Sequence, residues 1–271
     1  MIRLEKNLYG LAFELYQANR FFFPLIGAVL LNKQDGRVYV DDSHSPSQVY
    51  VEHAFGFAQL FGTAVSSFEK QLQDHLILSR CFQPNKVRLY SPSDPGFVES
   101  LKQGSALSYR QRFSLNIEKF ERHWGQSSES NDVDMDISWC EVQQNNISLV
   151  DQKFGLTDRF WRTPDDFIAN SKAVLMKYRE EPASICYAAA VADGSAEIDI
   201  LTLEKYRKKG LAKCAVMRFI RNCLNTSIVP LWDCFANNAG SMALAESVGF
   251  DPSGPTYNFF TIDKEVHSKT G

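Results

Sequence analysis

The sequence predicts an α/β (α+β) protein in which a mixed sheet is flanked by helices, and three observations carry that prediction. From Ala173 onward, short β-branched and aromatic runs alternate with longer amphipathic stretches. The passage from Ala196 to Trp232 reads strand, helix, strand, the crossover that parallel pairing requires. Apolar residues of the intervening helix form a stripe two rows wide, which fits a helix laid on a sheet. Leu211, Ala215, Phe219 and Cys223 make one row; Ala212, Val216, Ile220 and Leu224 make the other.

In chain order, the first half contains the longest apolar run, "FFFPLIGAVLL", Phe21 to Leu31. It falls well short of the ~20 residues that span a bilayer, and Pro24 and Gly27 interrupt it, so it reads as a loop entering a buried strand. "GAVLLN", "KQDG" and "RVYVDD" then give strand, turn and strand. "VYVEHAF" leads towards a helix around Val65 to Leu78. "KVRLYSPSDPGFVESLKQGSALSYRQRFSLN" gives a strand, a helix starting near Asp94, Gly104, and a final strand. This order loosely parallels that of the second half, and fits a degenerate repeat as well as an unrelated α/β domain. The first half lacks any basic, glycine-containing turn like residues 207–213, so a repeat here is expected to have lost its cofactor site.

"GQSSESNDVDMD", Gly125 to Asp136, is polar and acidic without periodicity. It reads as a linker between a smaller domain at 1–124 and a second at 137–271. In the second half "AVLMKYRE" and "ASICYAAAV" are strands, and "ADG", Ala192 to Gly194, is a hairpin turn into the strand "AEIDILTL". After the striped helix, "IVPLWDCF" is a strand and "NNAGSMALAESVGF" a helix. Asn238 caps that helix, and Gly249 supplies the left-handed residue that ends it. "PTYNFFTID" closes the half as a strand.

Composition excludes several classes of function. The 32 acidic and 29 basic residues leave a net charge of −3, which argues against nucleic-acid binding by bulk charge. The 6 cysteines and 5 histidines are dispersed, giving neither a disulfide framework nor a zinc site, and no metal is expected. The scattered cysteines suit a reducing cytoplasm, the expected location; "MIRLEKNLYG" shows no apolar signal core, and no membrane partner is expected.

The chemistry concentrates at "YRKKGLAKCA", residues 206–215, where a strand becomes a helix. The first turn of a helix leaves backbone N–H groups unpaired at the positive end of the dipole. Gly210 lets an anion approach without a Cβ in the way, and Ala212 is small as well. Lys208, Lys209 and Lys213 would add screened attraction to a phosphate, although cations at this end oppose the dipole by about 0.3–1 kcal/mol each. The alternative is a solvated helix start that happens to be basic. Neither a dinucleotide fingerprint nor a Walker loop is present.

In context the region resembles the GNAT acetyltransferase superfamily. The resemblance rests on "EIDILTLEKYRKKGLAKCAVMRFI" followed by "PLWDCFANNAGSMALAESVGF". Arg207 through Ala212 match the superfamily's Q/R-x-x-G-x-G/A loop, and Asn238 precedes Gly249-Phe250 as in its strand–Asn–helix segment. The wording is closest to the zwittermicin-A-resistance type, whose extra domain the N-terminal half would be. The match is strongest over residues 196–250 and weaker to 263.

The resemblance implies a GNAT fold with a centrally splayed sheet and acetyl-CoA in the gap. Leu201 and Thr202 would pair their backbone with the pantetheine arm. The N–H groups of the loop formed by Arg207, Lys208, Lys209, Gly210, Leu211, Ala212 and Lys213 would hold the pyrophosphate. Asn238 would contact the cofactor, with Ser241 lining the same wall, although Ser241 also reads as a packing residue. The implied reaction is direct attack of a small-molecule amine on the thioester. An aliphatic amine with a pKa near ~10.4 lies about three units, or roughly 4 kcal/mol, from its reactive form at neutral pH. Glu197 and Asp199 alternate with Ile198 and Ile200, so they share a strand face as candidate bases, or form a pair of exposed strand carboxylates. A bulge in that strand could re-aim either one.

One departure concerns the leaving thiolate. Many GNAT enzymes carry a Tyr four residues before the Gly-Phe, where this chain has Ala245, so either Tyr257, Tyr206 or water protonates the thiolate, or it leaves unassisted. In "FGLTDRFWRTPDDF", Phe160 and Trp161 could shape an acceptor pocket, with Asp165 and Asp166 drawing a cationic amine. The same stretch also reads as an ordinary helix with an acidic first turn after Pro164. Cys214 and Cys234 read as packing residues. Two rival functions stay open: a non-catalytic acyl-CoA sensor, and an acyltransferase for longer acyl chains. A homodimer is compatible with the sequence, which does not fix the assembly.

Overall fold

The computed structural model describes residues 1–129 and 136–265. Backbone contacts divide the chain into two units, Met1–Arg110 with Thr256–Gly271, and Gln111–Pro255. In chain order the first holds β1 (Ile2–Arg3), α1 (Tyr9–Gln17), α2 (Pro24–Leu30), β2 (Gly36–Val40), β3 (Gln48–His53), β4 (Phe57–Gly62), α3 (Ser66–Gln73), β5 (Lys86–Ser91), α4 (Val98–Gly104) and the start of β6 (Ala106–Leu115). The second takes the rest of β6 and then α5 (Ile117–Glu129), β7 (Ile137–Glu141), α6 (Ile147–Phe154), α7 (Pro164–Asn170) and β8 (Val174–Tyr178). It continues through β9 (Glu181–Ala192), β10 (Ser195–Thr202), α8 (Leu211–Leu224), β11 (Val229–Phe235), α9 (Ala239–Ser247) and β12 (Phe250–Pro252). The chain then returns to the first unit with β13 (Tyr257–Asp263).

This division and the sequence boundaries part at both ends. Residues 111–124 lie in the second unit, where Arg221 of α8 pairs with Glu121 of α5 at 2.6 Å and stacks over Phe120 and Trp124. Helix α5 also runs through residues 125–129, where the sequence suggests linker; residues 130–135 of that linker lie outside the described residues. Strand β13 pairs with β5 on one side and with residues 106–110 of β6 on the other.

The expected strand at "GAVLL" is a helix. Pro24 occupies its first turn, where a missing N–H costs nothing and the fixed φ suits helix entry. All seven residues of α2 are buried, so the run has no polar face whose spacing could distinguish helix from strand. Beyond this correction, the first unit orders its sheet β1-β2-β3-β4-β5-β13-β6. One face packs Phe23, Ile26, Val38 and Val51, and the other packs Phe68, Leu72, Leu89 and Leu101.

The second unit orders β11-β10-β9-β8-β7, with β12 pairing residues 113–115 of β6. Helix α8 lays Leu211, Ala215, Phe219, Ile220 and Cys223 on this sheet, as its two-row stripe requires. The predicted "ADG" hairpin has Asp193 and Gly194 at φ 46° and 69°, the left-handed pair that matches strand twist. An equivalent pair, Arg179 and Glu180 at φ 50° and 63°, turns β8 into β9 and cuts short the strand expected over "AVLMKYRE". Leaving short 3-10 and π turns aside, the element order from β1 to β6 recurs from β7 to β12.

Gly249 ends α9 with φ 104°, and a Cβ there would lie 2.8 Å from the Phe120 backbone. Gly249→Ala is therefore expected to destabilise the chain by about 1–3 kcal/mol, through backbone strain and overlap together. An unchanged denaturation midpoint would contradict this.

Candidate active site

Strand β10 pairs antiparallel with β9 along its whole length, but parallel with β11 only at Ser195, Ala196 and Glu197. Beyond Glu197 the ladder with β11 stops, and Ile198–Thr202 form one wall of a wedge. The register of β9 explains where it opens: Glu197 faces Ala190 and Ile198 faces Ala188, so Ala189 is an extra residue in a bulge. A bulge raises local twist, which turns β10 away from its neighbour. The bulge is pinned from outside the sheet. Trp161 Nε1 donates to the Ala188 carbonyl at 3.1 Å, and the Ala188 N–H donates to Ser171 O at 2.7 Å.

The wedge wall runs into the basic loop. A 3-10 turn, Glu204–Tyr206, is tied down at Glu181, which accepts from Tyr206 Oη at 2.5 Å and Lys205 Nζ at 2.9 Å. The Tyr206 hydroxyl and then Lys205 hold the Glu181 carboxyl below its ordinary pKa. Lys208 then adopts φ 63° and Gly210 φ 76°, and Gly210 is the N-cap of α8. The first helical bond is Cys214 N–H to Gly210 O, so the N–H groups of Leu211, Ala212 and Lys213 have no helical acceptor. No side chain caps this end, and the first turn has no acid. A Cβ at Gly210 would meet nothing within 4 Å. The result is a set of backbone donors without helical acceptors at the positive end of a fourteen-residue helix.

The cations around it are partly engaged elsewhere. Arg207 Nε reaches Thr202 O at 3.4 Å, and Lys209 Nζ sits 4.6 Å over the Tyr178 ring. On the facing side, Asn238 caps α9, its Oδ1 accepting from Ser241 N–H at 3.0 Å. Ser241 Oγ accepts from Trp232 Nε1 at 3.2 Å, so its hydroxyl orients a core indole. Leu201 and Thr202 end the wedge wall. Ser184 Oγ donates to Leu201 O at 3.2 Å and shares a 2.7 Å bond with Thr202 Oγ1.

The two acids share a face as their alternation predicts, since Ala196, Ile198 and Ile200 belong to the core under α8. Their surroundings differ. Glu197 is 7% exposed and sits at the last paired position, the apex of the wedge. Asp199 lies further along, where its Oδ2 accepts from Tyr187 Oη at 2.5 Å and pairs with Arg159 Nη1 at 3.5 Å. Burial, and then the Asp199 carboxylate, push the Tyr187 hydroxyl far above its ordinary pKa, so at neutral pH it remains a donor.

Several residues singled out in the sequence have structural tasks. Asp166 N–H is capped by Thr163 Oγ1 at 3.0 Å, with a return bond to its carboxylate, and Asp165 accepts from Gln144 Nε2 at 2.5 Å. Both acids thus serve the start of α7. Phe160 and Trp161 are buried, the latter holding the bulge. Ala245, Tyr206 and Cys234 are buried in the second unit's core, with Cys214 packed against it. Tyr257 belongs to the aromatic core of the first unit, beside Phe23 and Tyr90. Among the described residues no group of His, Cys, Asp or Glu could hold a metal, and no helix is long and apolar enough to cross a membrane. The partners of Asp199 that sequence reasoning missed are Arg159 and Tyr187, and nothing local marks either.

A splayed parallel pair, a bulged neighbouring strand and a glycine-opened helix define a GNAT-type α/β fold. The chain belongs to the GNAT acetyltransferase family, whose model matches residues 23–260. It is 37% identical over 93 residues to the uncharacterized N-acetyltransferase YdfB of Bacillus subtilis, a match spanning 34% of this chain and 36% of that protein. In fold it is similar to a GCN5-related N-acetyltransferase-like protein of Streptococcus suis, with a TM-score of 0.70 and 19% identity over 94% of this chain and 98% of that one. A tandem GNAT protein from the clavulanic acid biosynthesis pathway gives a TM-score of 0.63 at 11% identity, over 97% and 98% of the two chains.

Proposed function

We propose that the chain is an acetyl-CoA-dependent N-acetyltransferase, which transfers acetyl to the amine of a small molecule by direct attack in a ternary complex. The observation that carries this reading is the wedge beyond Glu197 running out onto the first turn of α8, whose N–H groups at Leu211, Ala212 and Lys213 have no helical acceptor. In this reading the wall at Leu201 and Thr202 takes the pantetheine arm, and the loop Arg207–Lys213 takes the pyrophosphate. Asn238 and the Ser241 wall close the other side. The amine nitrogen forms the new bond to the carbonyl carbon, and the thiolate leaves with its electron pair. Glu197, at the apex, accepts the amine proton directly or through water. Asp199, oriented by Arg159 and Tyr187, positions the amine. With Ala245 fully buried where many GNAT enzymes carry Tyr, and the Tyr206 hydroxyl committed to Glu181, water returns a proton to the sulfur.

The likeness in wording to the zwittermicin-A-resistance type favours an antibiotic-like or metabolic amine as acceptor, handled in the cytoplasm. One observation favours a second reading: the buried Ala245 leaves no side-chain acid at the usual place, as a non-catalytic acyl-CoA sensor would. A thiol-release assay across a panel of small amines separates the two. Release of coenzyme A that depends on an amine supports the transferase. Tight acetyl-CoA binding without turnover on any amine supports the sensor.

A further inference from the structure

The first unit builds a wedge of its own. Parallel strands β4 and β5 pair at Phe57, Ala58 and Gln59 only, opposite Arg88, Leu89 and Tyr90. Each of the two parallel ladders is entered by the same bond, an N–H to a glycine carbonyl. These are Arg88 to Gly56 at 2.6 Å here and Val229 to Gly194 at 2.8 Å in the second unit. Past Tyr90 and Ser91 comes Pro92, which has no N–H with which to continue the ladder. The opening holds a cavity of about 430 Å3, within the usual range for small-molecule sites. Its lining comes from the ends of α1 and β4, from Glu69 of α3 and from the turn at residues 92–95.

The side chains in this wedge differ in kind from those of the second unit. The ladder register puts Gln59 where Glu197 stands. Gln59 is fully buried, its Oε1 accepting from Tyr16 Oη at 2.6 Å and its Nε2 donating to Phe21 O at 3.1 Å. An amide committed at both ends takes up no proton. In place of open helix N–H groups beside a glycine, α3 carries Glu69, a carboxylate only 8% exposed. Its oxygens accept from Gln48 Nε2 at 2.8 Å and from Gly96 N–H at 2.7 Å, both neutral donors, and among the described residues no cation is a partner. A buried carboxylate without a counter-charge is costly, and each of its oxygens keeps acceptor capacity. The same charge repels a diphosphate.

We propose that this cavity is a second binding site, which takes a small organic cation, a primary amine of amino-acid size, and performs no chemistry on it. Glu69 receives the ammonium group at the floor of the cavity. Asp94 lines it as well and adds negative charge. Arg20, also in the lining, accommodates an amine that carries a carboxylate.

The test is calorimetry on the full chain with putrescine and free lysine as probes and acetyl-CoA as the counter-probe. At least one amine is expected to bind. Glu69→Gln is expected to weaken it by about tenfold or more, the scale of one charge-assisted hydrogen bond. Ala64→Trp, at an exposed position of the lining, blocks entry without touching the carboxylate and is expected to do the same. Acetyl-CoA affinity should be unchanged in both variants, which also reports that the second unit is folded. Failure of both amines to bind overturns the proposal, as does binding that neither variant weakens. A second equivalent of acetyl-CoA bound per chain, and retained when Gly210 is changed to Asp, overturns it too.

Discussion

Gly210→Asp is expected to abolish acetyl-CoA binding while leaving the fold intact. The two effects separate because the same side chain acts in opposite directions on helix and ligand. Gly210 sits at φ 76° with nothing within 4 Å of an added Cβ, so the substitution starts from open space. Asp is among the residues that tolerate left-handed backbone best, at a cost of about 1–2 kcal/mol. A carboxylate at a helix N-terminus is favourable to the dipole, which offsets part of that strain. For a bound pyrophosphate, the same carboxylate occupies its space and repels its charge.

The expected loss is at least about 100-fold in Kd, near 3 kcal/mol, set against a melting temperature changed by a few degrees at most. Lys213→Ala is the informative companion. Its charge is exposed and screened, so its removal should cost about 1 kcal/mol or less. Full affinity in the Asp variant by calorimetry would remove the cofactor assignment. An equal loss in both variants would move the binding energy from the backbone to the side chains.

What could be read from the sequence divides by the range of the interactions involved. The loop and α8 were legible because a glycine and a periodic stripe are local features. Asn238 was legible as the cap of α9, since the bond it accepts from Ser241 N–H spans only three residues. Helix α2 was misread because burial on every side erases periodicity, and only Pro24 carried a signal for its start. The setting of Asp199 was hidden because Tyr187 lies 12 residues away and Arg159 lies 40 residues away. Their meeting depends on the register between β9 and β10, which a bulge at Ala189 sets and no local pattern encodes. Strand β13 had the composition of a strand, but composition does not name the partner, and it pairs in the first unit. The wedge in the first unit is obscured differently. No basic glycine turn marks it, and its features are a ladder that ends at Tyr90 and a buried Glu69, which no local pattern joins.

Glu197→Gln is expected to lower kcat by about 10²- to 10⁴-fold at neutral pH, the usual weight of a positioned general base. The substitution is isosteric, so the apex of the wedge keeps its shape and KM for the acceptor should change little. The pH dependence identifies the cause. An acceptor amine with a pKa near ~10.4 is almost wholly protonated at neutral pH, and the variant has no carboxylate to receive its proton. As pH rises towards that value solvent removes the proton instead, so the deficit should shrink steadily. Asp199→Asn gives a different pattern, because Tyr187 and Arg159 lose the charge that gathers them. There the acceptor's KM should rise more than kcat falls, as expected for a group that positions the amine without taking its proton. If the two patterns are exchanged, so are the roles. If both variants keep the wild-type rate across the pH range, the proton leaves by a route that involves neither acid.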